Sequence, residues 1–134
     1  MVIKIPNNVY AMNEATLTLG ADDWTAVVTQ AELAPQTGSV VTGIGGHKYR
    51  GKALWQLNLG HLQDADLDGL TRYLFDHEGE TVAFVLTPVE DGIAWGGEVV
   101  LAPTAIGGTG GTDLAQASAT LEVVGRPVPA DPAP

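Results

Sequence analysis

The chain has 134 residues, enough for one domain with a modest core, and 45% are apolar, which excludes a disordered segment. It contains no cysteine, so disulfides, thiol catalysis and thiolate metal sites are excluded. Sixteen acids against six bases give a formal net charge of −10, the reverse of a surface that grips DNA by displacing counterions from phosphates.

Taken in chain order, residues 1–13 read as an N-terminal arm. Their apolar positions do not form a run long enough for a signal peptide, so folding in a cytoplasm is expected, with no membrane contact. Ala15, Leu17 and Leu19 then alternate with Thr16 and Thr18, the period of a half-buried strand. Trp24 to Leu33 is rich in β-formers with a less regular phase: Trp24, Ala26 and Val28 on one face, Val27, Ala31 and Leu33 on the other. Residues 36–52 are a long polar, glycine-rich connection.

Ala53, Trp55, Leu57 and Leu59 put one face of the next strand in a core and leave Gln56 and Asn58 outside. The pattern then changes period. Leu67, Leu70 and Leu74 recur at helical spacing behind the carboxylates Asp64, Asp66 and Asp68, with Asp64 or Asp66 as cap and Gly79 as stop. A helix of about three turns over residues 65–78 is predicted.

Val82, Phe84 and Leu86 form another strand, ended by Pro88. Asp91-Gly92 signals a tight hairpin turn into a strand whose inner face is Ile93, Trp95, Val99 and Leu101. Residues 106–112 read as a flexible glycine-rich loop. The last strand, Leu114 to Val124, turns Ala115, Ala117, Ala119, Leu121 and Val123 inward and Gln116, Ser118, Thr120 and Glu122 outward. The proline-rich stretch from Arg126 onward is expected to be extended rather than packed, with residues 129–134 a flexible tail. The fold expected is mainly β: an antiparallel barrel or sandwich of about six or more strands, its sheet covered on one face by the single inserted helix.

Sites for chemistry are thin. His61, Asp64, Asp66 and Asp68 hint at a cation loop, but Phe75 stands where the last calcium-loop ligand would fall, and a helix-start cluster explains the aspartates. Ser39 and Ser118, the only serines, lie in no nucleophile-elbow pattern. The glycine clusters lack the Lys-Ser/Thr of a phosphate loop. The tryptophans Trp24, Trp55 and Trp95 fall in the strand segments and are read as core rather than as a stacking platform. No enzyme, metal or cofactor is expected.

Four pieces in order are similar to one family: Ala15-Thr16-Leu17-Thr18-Leu19-Gly20, Leu70-Thr71-Arg72-Tyr73-Leu74-Phe75-Asp76, Pro103-Thr104-Ala105-Ile106-Gly107-Gly108 and Val123-Val124-Gly125-Arg126-Pro127. They resemble the tail tube (major tail) proteins of long, non-contractile bacteriophages, particularly those of actinobacteria, over roughly residues 14–128. The resemblance implies a structural virion protein that assembles in the host cytoplasm as hexameric rings stacked into a tube, through which double-stranded DNA passes during ejection. It also implies a tape measure protein, a tail terminator and tail-tip proteins as partners. With the sequence ending at Pro134, a tube without the immunoglobulin-like domain of some relatives is expected.

Two sets of residues follow from joining that resemblance to the patterning. Candidates for the lumen face are Thr16, Thr18, Gln56, Asn58, Gln116, Ser118, Thr120 and Glu122; a ring of six chains would carry about −60, so phosphates would be repelled and DNA would slide. The candidate assembly loop is His47, Lys48, Tyr49, Arg50 and Lys52. It holds half of the chain's six cations, at alternating positions that an extended arm would project to one side. Acidic surface of a neighbouring copy, such as Asp22-Asp23 or the helix-start aspartates, is the expected partner. The alternatives are another virion component (a decoration protein, a tail terminator or a contractile-system tube) and a monomeric β-sandwich binding module.

Overall fold

A computed structural model of the chain describes residues 2–5, 9–12 and 14–130. Within them the strands are β1 (Thr16–Leu19), β2 (Asp22–Asp23), β3 (Val28–Gln36), β4 (Val40–Thr42), β5 (Lys48–Arg50), β6 (Leu54–Leu62), β7 (Thr81–Thr87), β8 (Ala94–Val100) and β9 (Gln116–Ala130). The helix α1 (Leu70–Asp76) lies between β6 and β7. Seven strands form one antiparallel sheet in the order β2-β1-β7-β8-β9-β6-β3, and β4 and β5 form a separate two-stranded ribbon. The mainly β fold with one helix is as the alternation predicts.

Alternating apolar residues set the inner face. Leu17, Leu19, Ala31, Leu57, Leu59, Phe84, Leu86, Val99 and Leu121 are buried together, and Leu70 and Leu74 of α1 cover them. Each fully buried leucine stabilises the fold by roughly 1.5–3 kcal/mol relative to exposure. The sheet is rolled, because β1 and β3, far apart in strand order, line one cleft of about 750 Å3 through Leu17 and Ala31. Near it, Trp24 packs on Tyr73 of α1 with ring centroids 5.4 Å apart. Asp23 accepts from the Thr25 hydroxyl and from its backbone N–H, which holds its carboxyl below the usual range.

Several expectations are corrected. The helix has two turns, not three: residues before Leu70 form a turn in which Asp64 Oδ1 accepts the N–H of Asp66, and the cap position is Gly69, with no side-chain cap. A Cβ at Gly69 would lie 2.8 Å from the Asp64 Cβ, so the aspartate packs against the cap position closely enough to require glycine there. Leu67 consequently stands outside the helix, 80% exposed. Gly79 follows the helix at φ +81, as a stop signal should. The connection between β7 and β8 spans residues 88–93, longer than a tight turn, and Asp91 rather than Gly92 takes the positive φ.

Trp24 lies between strands rather than in one. Ile93 and Ala115 are exposed in the connections before β8 and β9, and Trp95 is exposed where it lines the cleft of about 750 Å3. Past Val124, where a packed strand is expected to end, β9 continues to Ala130 and pairs with β8 through Val128, Pro129 and Ala130. A bulge makes this possible: Glu98 faces Val124 and Gly96 faces Val128, so Gly125, Arg126 and Pro127 stand against Gly97 alone. Gly125 takes φ +77 there and Pro127 is buried. Residues 129 and 130 thus belong to the sheet; residues 131–134 lie outside the described residues.

Candidate assembly surface

Side chains alternate across a strand, so the register fixes which residues share the outer face. Thr16 and Thr18 of β1 stand opposite Thr87 and Val85 of β7. Thr81 and Ala83 lead through Val100 and Glu98 of β8 to Glu122 and Val124 of β9. Glu122, Thr120 and Ser118 face Gln56, Asn58 and Gly60 of β6, which in turn face Ala34, Glu32 and Gln30 of β3. Gln116 continues the same row opposite Leu62. The eight polar residues singled out from three separate strand segments therefore lie on one continuous sheet face. Among these paired positions there are three carboxylates, Glu32, Glu98 and Glu122, and no Lys or Arg.

Two hydrogen-bonded rows stiffen this face. Thr120 Oγ1 donates to Asn58 Oδ1 at 3.1 Å, and Asn58 Nδ2 donates to Glu32 at 3.2 Å. Gln36 Nε2 donates to Gln56 at 2.9 Å, and Gln56 Nε2 donates to Glu122 at 3.0 Å. Each row ends on a carboxylate, which accepts from an amide rather than from a cation, so its negative charge is left unneutralised. Glu32, Gln36 and Glu98 were missed in the sequence. Glu32 and Gln36 could have been found by extending the alternation of residues 30–36.

The assembly loop is a hairpin. Val40 pairs with Arg50, Val41 with Tyr49 and Thr42 with Lys48, and Gly43 to His47 close the turn, with Gly46 at φ +87. Lys48 and Arg50 share one face, Tyr49 and Val41 the other, and His47 sits at the turn. Lys52 lies beyond the end of β5, so the structure brings two of the three alternating cations together in a strand. Among the described residues none of Lys48, Arg50 and Lys52 forms a salt bridge; the two found are Arg72 with Asp76 and His77 with Glu80. Val40, Val41, Ile44 and Tyr49 are all exposed, and Ile44 at the turn is fully so at 112%. Val40-Val41-Thr42 opposite Lys48-Tyr49-Arg50, with glycines between, is a hairpin signal that the reading of a featureless connection passed over.

The sheet is open on one side. β3 has β6 as its single sheet partner; at the other border β1 is covered by β2 at Thr18 and Leu19 and also at Leu17, whose N–H donates to the Thr25 hydroxyl and whose carbonyl accepts the Trp24 N–H. The β3 border is a template for another strand. His61, considered as a metal ligand in the sequence, is instead buried in the core phase of β6: its ring lies between the Leu62 carbonyl, 2.9 Å from Nδ1, and the Thr104 hydroxyl, 3.0 Å from Nε2. No helix among the described residues is long and apolar enough to cross a membrane. No protein-family model and no curated protein matches the chain.

Proposed function

We propose that this chain is a non-enzymatic, self-assembling tube subunit, the tail tube protein of a long-tailed bacteriophage, whose copies join into hexameric rings and stack around a channel for DNA. The observation that carries the reading is the continuous outer face: acidic, without Lys or Arg at its paired positions, and largely polar, with Val85 and Val124 exposed among the polar residues. A channel wall of that kind repels phosphates and offers DNA no cation to grip them. The open β3 border supplies the means of closure, since a ring of edge-paired copies removes every edge at once. The hairpin arm supplies a second contact between copies. Tape measure, terminator and tip proteins belong to the same reading.

Negative-stain microscopy of purified protein, with light scattering against concentration, tests it. Long tubes of stacked rings are expected; single rings or a lasting monomer would contradict it. Within a virion, Gln116→Arg with Ser118→Arg should leave tubes intact and slow DNA ejection, and unchanged ejection would refute the channel role of this face.

One observation favours a second reading. The cleft of about 750 Å3 is lined by Tyr10, Met12, Trp55 and Trp95, an aromatic set suited to a ligand of a monomeric binding module. That reading predicts a stable monomer at every concentration and a ligand that quenches tryptophan fluorescence.

A further inference from the structure

The arm and one other apolar surface lie at opposite ends of the molecule. The arm leaves the sheet where Gln36 pairs with Leu54. From Leu54, β6 runs about 27 Å to Leu62, at roughly 3.3 Å per residue. Just beyond that far end is a cleft of about 310 Å3 lined by Leu67, Phe75 and Ile106 together with Asp64 and Asp66. All three apolar residues are exposed. The wall is fixed in place: Gln63 donates to the Gly107 carbonyl and accepts from the Gly107 N–H, each at 2.8 Å, which holds Ile106 beside the start of α1.

We infer that this cleft is the seat for the arm of a second copy: Ile44 enters between Leu67, Phe75 and Ile106, while Lys48 and Arg50 meet Asp64, Asp66 and the adjoining Asp68. The inference rests on the tube reading and names the contact within it. Both surfaces combine exposed apolar groups with charge of one sign, and the signs are opposite. Arg72, the one cation lining the cleft, is already held by Asp76 at 2.8 Å and leaves the other carboxylates unneutralised. Opposed charges of this kind fix register and orientation.

The geometry also sets the symmetry. An arm at one end and a seat at the other make a head-to-tail contact rather than a two-fold dimer; where its rotation does not close into a ring, the contact repeats as an open stack. The Gly38–Gly51 pinch at the root of the arm, where a Cβ on Gly38 would meet the Gly51 backbone at 3.4 Å, marks where the arm leaves the sheet.

The test uses the absence of native cysteine. The full chain carrying Ile44→Cys and Leu67→Cys, oxidised during assembly, should give a ladder of cross-linked oligomers, because each copy offers one thiol at each end. Lys48→Glu with Arg50→Glu should raise the concentration needed for polymerisation by about tenfold or more. Adding Asp66→Lys and Asp68→Lys, both exposed positions, should bring it back to within about threefold of the wild type. Melting curves by circular dichroism check that each variant is folded. Wild-type tubes that form with no ladder, or charge reversal without rescue in folded chains, would overturn the contact while leaving the tube reading standing. A wild-type chain that never polymerises would overturn both.

Discussion

β3 and β6 begin as one hairpin and end as two different objects. In the lower half, Ala31, Leu57 and Leu59 are buried against the core and Leu33 packs beside them. In the upper half, β4 and β5 keep the same antiparallel pairing, yet Val40, Val41 and Tyr49 remain exposed. Backbone hydrogen bonds are present in both; apolar burial is present in one. An isolated two-stranded ribbon is marginal in water, so the lower half is stabilised by its own chain and the upper half lacks that support. On the proposed function, the β-branched and aromatic residues of this ribbon pack on a surface outside their own chain. The same logic separates the two faces of the sheet, one closed by α1 and one left polar and acidic.

Substitutions sharpen this contrast by their size. Leu57→Ala, in the lower half, should destabilise the monomer by about 3 kcal/mol, read as a lowered urea midpoint, since the residue is completely buried. Thr104→Val leaves His61 Nε2 without its hydroxyl partner in a buried site, and should cost about 1–2 kcal/mol by the same measurement. Tyr73 gives a pH effect. Burial first, then the charges of Asp22 and Glu80, raise its phenol above the ordinary value of 10.0. The folded state therefore favours the protonated phenol; the contribution is present below pH 10 and is lost as pH rises through the raised value. Tyr73→Phe should flatten the fall in melting temperature above about pH 10, and an unchanged fall would assign it to other groups. Smallest of all, Val41→Ala in the upper half should change monomer stability by less than about 0.5 kcal/mol while still weakening assembly. A loss comparable to that of Leu57→Ala would mean that the arm packs within its own chain, and would break the comparison.

The central strands were legible because one physical rule governs them. Leu17 and Leu19, and Leu57 and Leu59, alternate with polar residues, Phe84 and Leu86 with the small or β-branched Ala83, Val85 and Thr87, and all six are buried as that period requires. The outer-face residues were legible for the same reason, as the partners of the buried set. What alternation could not reveal lies where a different rule takes over. Beyond Val124 the bulge at Gly125 shifts the phase, and prolines at 127 and 129 read against a strand even though β9 continues. At Leu67 the helical spacing continues, but Asp64 and Gly69 bend the backbone into a turn first. Ile93 has the phase of a core residue but lies in the connection before β8, and Trp95 lines the open cleft between β1 and β3, placements set by tertiary structure rather than by local pattern. Of the candidate assembly loop, the cations were visible; the Val40–Thr42 strand that makes the arm a hairpin is only three residues long, too short for alternation to mark it.

The proposed self-assembly turns on the unsupported upper half of the hairpin, and hydrogen exchange measures it directly. In dilute monomer, amides of residues 40–50 should exchange with little protection while those of residues 54–62 are slow; in assembled material both should be slow. Strong protection of residues 40–50 in the monomer, or no gain on assembly, would contradict the account.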